Sequence, residues 1–193
     1  MSTTALIVEV LVIGAIALIW IFLFALRFGG YPGIDVAEIS ALMPILVLPA
    51  TGLTYAVGWI INFLAERLFK LFFQRKIRDR VFGSREQYQR DKIRVVSGAS
   101  DSANQDMLLD RHIIRLARAG VLNFLLLGVG LLANSHRLGA IAVSLSVAAF
   151  ALCLISFFQW LTRYSAYYQK VRMLADVEMQ SSTNSNNDES PKN

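Results

Sequence analysis

Asp106, Asp110 and His112 are the residues whose types come nearest to chemistry: two carboxylates at i, i+4 and an imidazole two positions on. Such a set could hold a divalent cation or relay a proton. On a helix of ~3.6 residues per turn, the spacing that stacks Asp106 on Asp110 turns His112 away from both. A metal needs three or four convergent ligands, so none is expected here. The carboxylates are expected to face Arg111 and Arg115 or solvent. Ser144, Ser146 and Ser156 carry hydroxyls without a base nearby, and His136 beside Arg137 reads as a solvated turn residue. Cys153 is the single cysteine, so neither a disulfide framework nor a zinc site follows from it. G-x-S-x-G, H-E-x-x-H, Walker A and dinucleotide fingerprints are all missing from the sequence. No catalytic residue, cofactor or metal is expected, an enzyme is the least expected class, and no motif carries a family resemblance.

What must position these residues is mostly apolar. From Val10 to Leu26 only aliphatic, aromatic, Ala and Gly side chains occur, flanked by Glu9 and Arg27. At ~1.5 Å per residue such a run, with its flanks, crosses a hydrocarbon core of ~30 Å. Three further apolar stretches follow, hydrophobic residues make up 55% of the chain, and the mean hydropathy is +0.48. Together they predict an all-α integral membrane protein with four transmembrane helices and cytoplasmic helical extensions. The first run has no basic n-region and no A-x-A-like site after it, so it reads as a retained helix.

The spans are expected at about 5–26, 41–63, 115–134 and 138–161 of a membrane domain covering 1–179. Gly29 to Gly33 breaks the first, and Pro44 and Pro49 are expected to kink the second. Beyond it, Phe69, Phe73, Ile77 and Val81 recur every fourth residue, with Arg67, Lys70, Arg75, Lys76, Arg78 and Arg80 mostly on other faces. That is a basic amphipathic helix leaving the bilayer, with Phe69 and Phe73 offered to the interface. Gly83-Ser84 interrupts it. A break at Ser97 to Asp101 and a capping box, Ser102 to Gln105, then predict a helical hairpin over 64–114. Tyr164, Tyr167, Tyr168, Val171 and Ala175 carry a helical period through a fourth-span extension at 162–179, and the polar tail 180–193 is expected to be disordered.

Between Glu66 and Arg118 the chain has thirteen Lys+Arg against seven Asp+Glu, a local charge of +6 within a total of +5. Arg163, Lys170 and Arg172 follow the fourth span, whereas Arg27 and Arg137 are the lone cations of the other two links. Cations collect on the cytoplasmic side, which predicts cytoplasmic termini in a membrane of the bacterial inner-membrane type. The expected partners are membrane lipids with anionic headgroups, contacted by the six cations from Arg67 to Arg80. Nucleic acid is not expected.

Glu9, at the edge of the first span, is expected to reach the interface. Asn62 and Asn123 are expected to bond between helices, and Arg115 and Arg118 to snorkel or lie against protein. Ala142, Ser146, Ala149, Cys153 and Ser156 make a small-residue stripe for helix packing, with Ala140, Ser144 and Ala148 beside it. The stripe predicts close helix contact within the chain or in a homo-oligomer. The function expected is a non-catalytic multi-pass membrane subunit with an assembly, adaptor or regulatory role, presenting the basic surface to a partner protein or anionic lipid. The alternative is an oligomeric channel or pore-forming effector lined by the second span or the fourth.

Overall fold

The structure is a computed structural model and describes residues 3–29, 36–98 and 101–188. Every secondary element among them is helical: α1 (Thr3–Gly29), α2 (Val36–Phe69), a π-helical turn (Lys70–Gln74), α3 (Arg75–Phe82), α4 (Arg85–Gly98), α5 (Asp101–Ala133) and α6 (Ser135–Asp188). Four stretches are long and apolar enough to cross a membrane by length and composition: Leu6–Gly29, Val47–Phe82, Gln105–Ala133 and Ser135–Val177. The chain divides into two compact units, Met1–Leu68 with Arg115–Gln159, and Phe69–Ile114 with Trp160–Asn193.

In the first unit two helices meet at glycine. A Cβ on Gly14 of α1 would run into the carbonyl oxygen of Thr54 on α2, and one on Gly58 into that of Val10. The two backbones therefore touch, and each glycine is required by the other's helix. Ile13, Ala17, Ile61 and Ala119 form a buried cluster with Trp20, Val57 and Leu122 against it. Asn123 of α5 donates to Ile13 O at 3.0 Å and accepts from Trp20 Nε1 at 3.0 Å. Its amide thus satisfies both a backbone carbonyl and an indole inside an apolar layer, where each bond is worth about 0.6 kcal/mol.

The turn after α5 is made by Asn134, which is fully buried. Its side-chain amide donates to Leu23 O at 3.1 Å and Gly130 O at 2.8 Å, which ties the turn to α1. The bend is completed at Gly139, whose φ of 67° needs a residue without a Cβ. The link expected at 134–138 is therefore one residue longer. α6 then lies along α5 through the small-residue stripe, with Ser146 Oγ donating to Gly128 O at 2.8 Å.

α2 has no break from Val36 to Phe69, so neither proline ends it. Pro44's side chain and the hydroxyl of Ser102, which would form the capping box, lie outside the described residues.

The second unit is built on aromatic residues spaced by four on α6. Trp160, Tyr164 and Tyr168 are buried in sequence, followed by Val171 and Ala175. Phe69 meets Trp160 edge-on at 4.5 Å between ring centroids, and Phe82 meets Tyr168 at 5.6 Å. Tyr88 of α4 closes the cluster against both Phe82 and Tyr168, at 5.1 and 5.2 Å. Offset and edge contacts of this kind contribute about 0.5–1.5 kcal/mol each beyond burial. α3 ends at Gly83, whose amide bonds back to Asp79 O with φ 71°. α6 continues to Asp188, nine residues into the segment expected to be disordered, while 189–193 lie outside the described residues.

Candidate functional site

The polar groups of the first unit are drawn into helix–helix contacts. Glu9 is buried, not spread at an interface, and lies 3.7 Å from Arg115 Nε. Arg118, 4% exposed, reaches Glu66 at 3.4 Å and Asn62 at 3.5 Å on α2. Both arginines therefore lie against protein. Asn62 and Asn123 both bond across helices. Thr51 and Thr54 turn their hydroxyls back to Val47 O and Ala50 O, one turn earlier on their own helix.

Of the small-residue stripe, Ala142, Ser146 and Ala149 are buried, and Cys153 and Ser156 partly so. Cys153 Sγ sits 3.4 Å from Val121 O, and a Cβ on Gly120 would stand 3.1 Å from Ser156 Oγ. All five line up along α5. The neighbouring set Ala140, Ser144 and Ala148 is exposed.

In the second unit Asp106 is mostly open to solvent, as one arm of the expectation had it, and neither Asp106 nor Asp110 faces Arg111 or Arg115; both pair across to α6. Lys170 stands 3.4 Å from Asp106 and 3.7 Å from Asp110, and Arg163 is 3.7 Å from Asp110. Arg111 is occupied otherwise, donating through Nε and Nη2 to Tyr167 Oη at 3.0 and 2.9 Å. Arg115 pairs with Glu9 instead, so the cations within 4 Å of the two carboxylates among the described residues are those of α6. Among the described residues no group of three or more His, Cys, Asp and Glu converges. His136 lies on the surface within 3.5 Å of Arg27 and 3.3 Å of Arg137.

Burial raises the Tyr88 phenol above its ordinary value, and the neighbouring Tyr167 and Tyr168 add to the shift against a smaller opposing pull from Arg111. Tyr88 is thus held as a neutral hydroxyl inside the aromatic cluster.

The basic segment keeps most of its charged side chains on the outside. Lys70, Arg75, Lys76 and Arg80 are exposed, as is Arg67 in the first unit, which stands over the Phe63 ring at 4.9 Å. Arg78 differs: it is partly packed and holds Asp79 at 2.8 Å. The aromatic residues assigned to the interface are also reassigned. Phe69 is buried on Trp160, and Phe73 touches the same ring at 5.8 Å. Leu71 and Phe72 are the most exposed apolar side chains of the turn, at 65% and 60%, and Phe73 keeps 39% of its surface exposed beside its contact with Trp160.

The cause is the π turn, which the four-residue period hides. The inward positions of this unit step from Phe69 to Gln74, then to Ile77 and Arg78, then to Val81 and Phe82. The first step is five residues, not four. A turn of i→i+5 bonds absorbs the extra residue and leaves Leu71 and Phe72 outside. The local signal available in sequence was the apolar run Leu71-Phe72-Phe73, too wide for one face of a regular helix, just before the basic run from Arg75. No protein-family model, curated protein or solved structure matches the chain.

Proposed function

We propose that this chain is a non-catalytic multi-pass membrane subunit with an assembly, adaptor or regulatory role. It presents the basic surface of the α2–α3 segment on the cytoplasmic side. The observation that supports it most is the sorting of side chains in that segment. Phe69 turns inward to Trp160, while Lys70, Arg75, Lys76 and Arg80 remain exposed and form no ion pair among the described residues. Cations gathered at one place create a field that draws an acidic partner or surface. The non-catalytic part is supported by where the polar side chains of the first unit go: Asn62, Asn123, Asn134, Ser146 and Arg118 all serve contacts between helices.

Reversing Arg75, Lys76 and Arg80 to Glu in the full chain tests the reading. Purified from mild detergent, the variant should keep its helical signal and lose the acidic material, lipid or protein, that accompanies the wild type. Equal association in both would overturn it.

The competing reading is an oligomeric channel. It is favoured by the outward face of α2, where Leu48 is 83% exposed and nothing approaches Gly52 within 4 Å. Detergent sizing and planar-bilayer recording separate the two. A monomer without conductance removes the channel, and a conducting oligomer removes the adaptor.

A further inference from the structure

The π turn gives the basic surface a feature that charge alone does not explain. Leu71 and Phe72 are exposed side by side within the π turn, and the exposed Arg75 and Lys76 follow where it ends, about one turn further along the chain. Lys70 begins the turn. The order is therefore apolar pair first and cation pair one turn later, at the end of the candidate span Val47–Phe82. Asp79, the one acid on this part of the chain, is already held by Arg78, which leaves the face purely cationic.

A soluble segment has no reason to hold two large apolar side chains outward when its own aromatic cluster lies on the opposite side. The inserted residue of the π turn costs regular hydrogen-bond geometry, and such turns are frequent at functional sites. Resting on the reading of this segment as a cytoplasmic basic surface, we propose that its partner is an anionic bilayer. Leu71 and Phe72 enter the border of the acyl chains, and Lys70, Arg75 and Lys76 bind headgroup phosphates. A protein partner would need an acidic groove with an apolar floor. The bilayer offers that profile everywhere, and in this order of depth.

The test uses the full chain with Cys153→Ala and a nitroxide at Phe72→Cys, in nanodiscs of phosphatidylcholine with and without phosphatidylglycerol. Ile141→Cys on α6 and Ile93→Cys on α4, both highly exposed, serve as apolar and aqueous references. Collisions with oxygen and with a nickel chelate report depth. With phosphatidylglycerol the label at position 72 should match the Ile141 label, reached by oxygen and shielded from nickel. Changing Lys70, Arg75 and Lys76 to Gln should lower co-purified phosphatidylglycerol about fivefold per charge removed. Removing Leu71 should restore a regular turn and abolish insertion, while Trp160 emission stays unchanged because the inner face still packs.

A label reached by nickel in both discs overturns the inference. One shielded from both collision partners shows a protein covering the patch, which overturns the lipid assignment and leaves the basic-surface reading standing. Reporter fusions that place Gly98 outside would remove that reading and the inference with it.

Discussion

At the scale of single residues, close contact is set by what is absent from a side chain as much as by what is present. Gly14 and Gly58 let α1 and α2 touch backbone to backbone. Gly58→Leu should therefore push the helices apart and unfold the first unit at lower temperature, with a loss of several kcal/mol typical of overpacking against backbone. Thermal melts of Gly58→Leu against Gly52→Leu, where nothing lies within 4 Å, check this, and only the first should shift strongly. Tyr88 supplies a pH prediction. Its phenol is raised above the unfolded value of about 10, chiefly by burial. The stability this group contributes is then fully present below about pH 10 and lost as pH rises through the higher folded value. Far-ultraviolet circular dichroism from pH 8 to 12 should show loosening that Tyr88→Phe moves to higher pH, since Phe has no proton to lose. An unchanged alkaline limb in Tyr88→Phe would show that another group governs it.

At the scale of elements, the chain's helices were legible and their phases were not. Apolar length marks each candidate span, because a helix satisfies its backbone groups within a single segment. The period of Tyr164, Tyr168, Val171 and Ala175 marks the buried side of α6 equally well. The π turn breaks the rule on which such readings rest. A constant step of four keeps Phe69 and Phe73 on one face, whereas the inserted residue moves the next inward position after Phe69 to Gln74 and leaves Leu71 and Phe72 out. The pairing of Asp106 and Asp110 was illegible for a different reason. Local spacing offered Arg111 and Arg115, and the actual partners, Lys170 and Arg163, lie more than fifty residues away in sequence. The glycine contact of α1 with α2 was equally non-local. The two small-residue sets on α6 now separate by burial. Ser146→Leu should break the seam with α5 and destabilise by about 1–3 kcal/mol, whereas Ser144→Leu on the exposed set should change stability by less than ~0.5 kcal/mol. If Ser144→Leu instead dissociates an oligomer in detergent sizing, the second set is an interface between subunits.

At the scale of the whole molecule, charge is arranged so that one side of the chain's connections is basic and the other nearly bare. Thirteen cations fall between Glu66 and Arg118, and one, Arg137, falls in the turn from α5 to α6. The account of this protein as a membrane subunit with a cytoplasmic basic surface stands on that asymmetry, since all its proposed contacts need the basic segment on the anionic side. Topology is therefore the measurement that reaches it most directly. Fusions of a compartment-sensitive reporter after Gly33, Gly98, Arg137 and Gln180 should read outside, cytoplasm, outside and cytoplasm in that order. A reporter that is cytoplasmic after Arg137, or translocated after Gly98, would contradict the account.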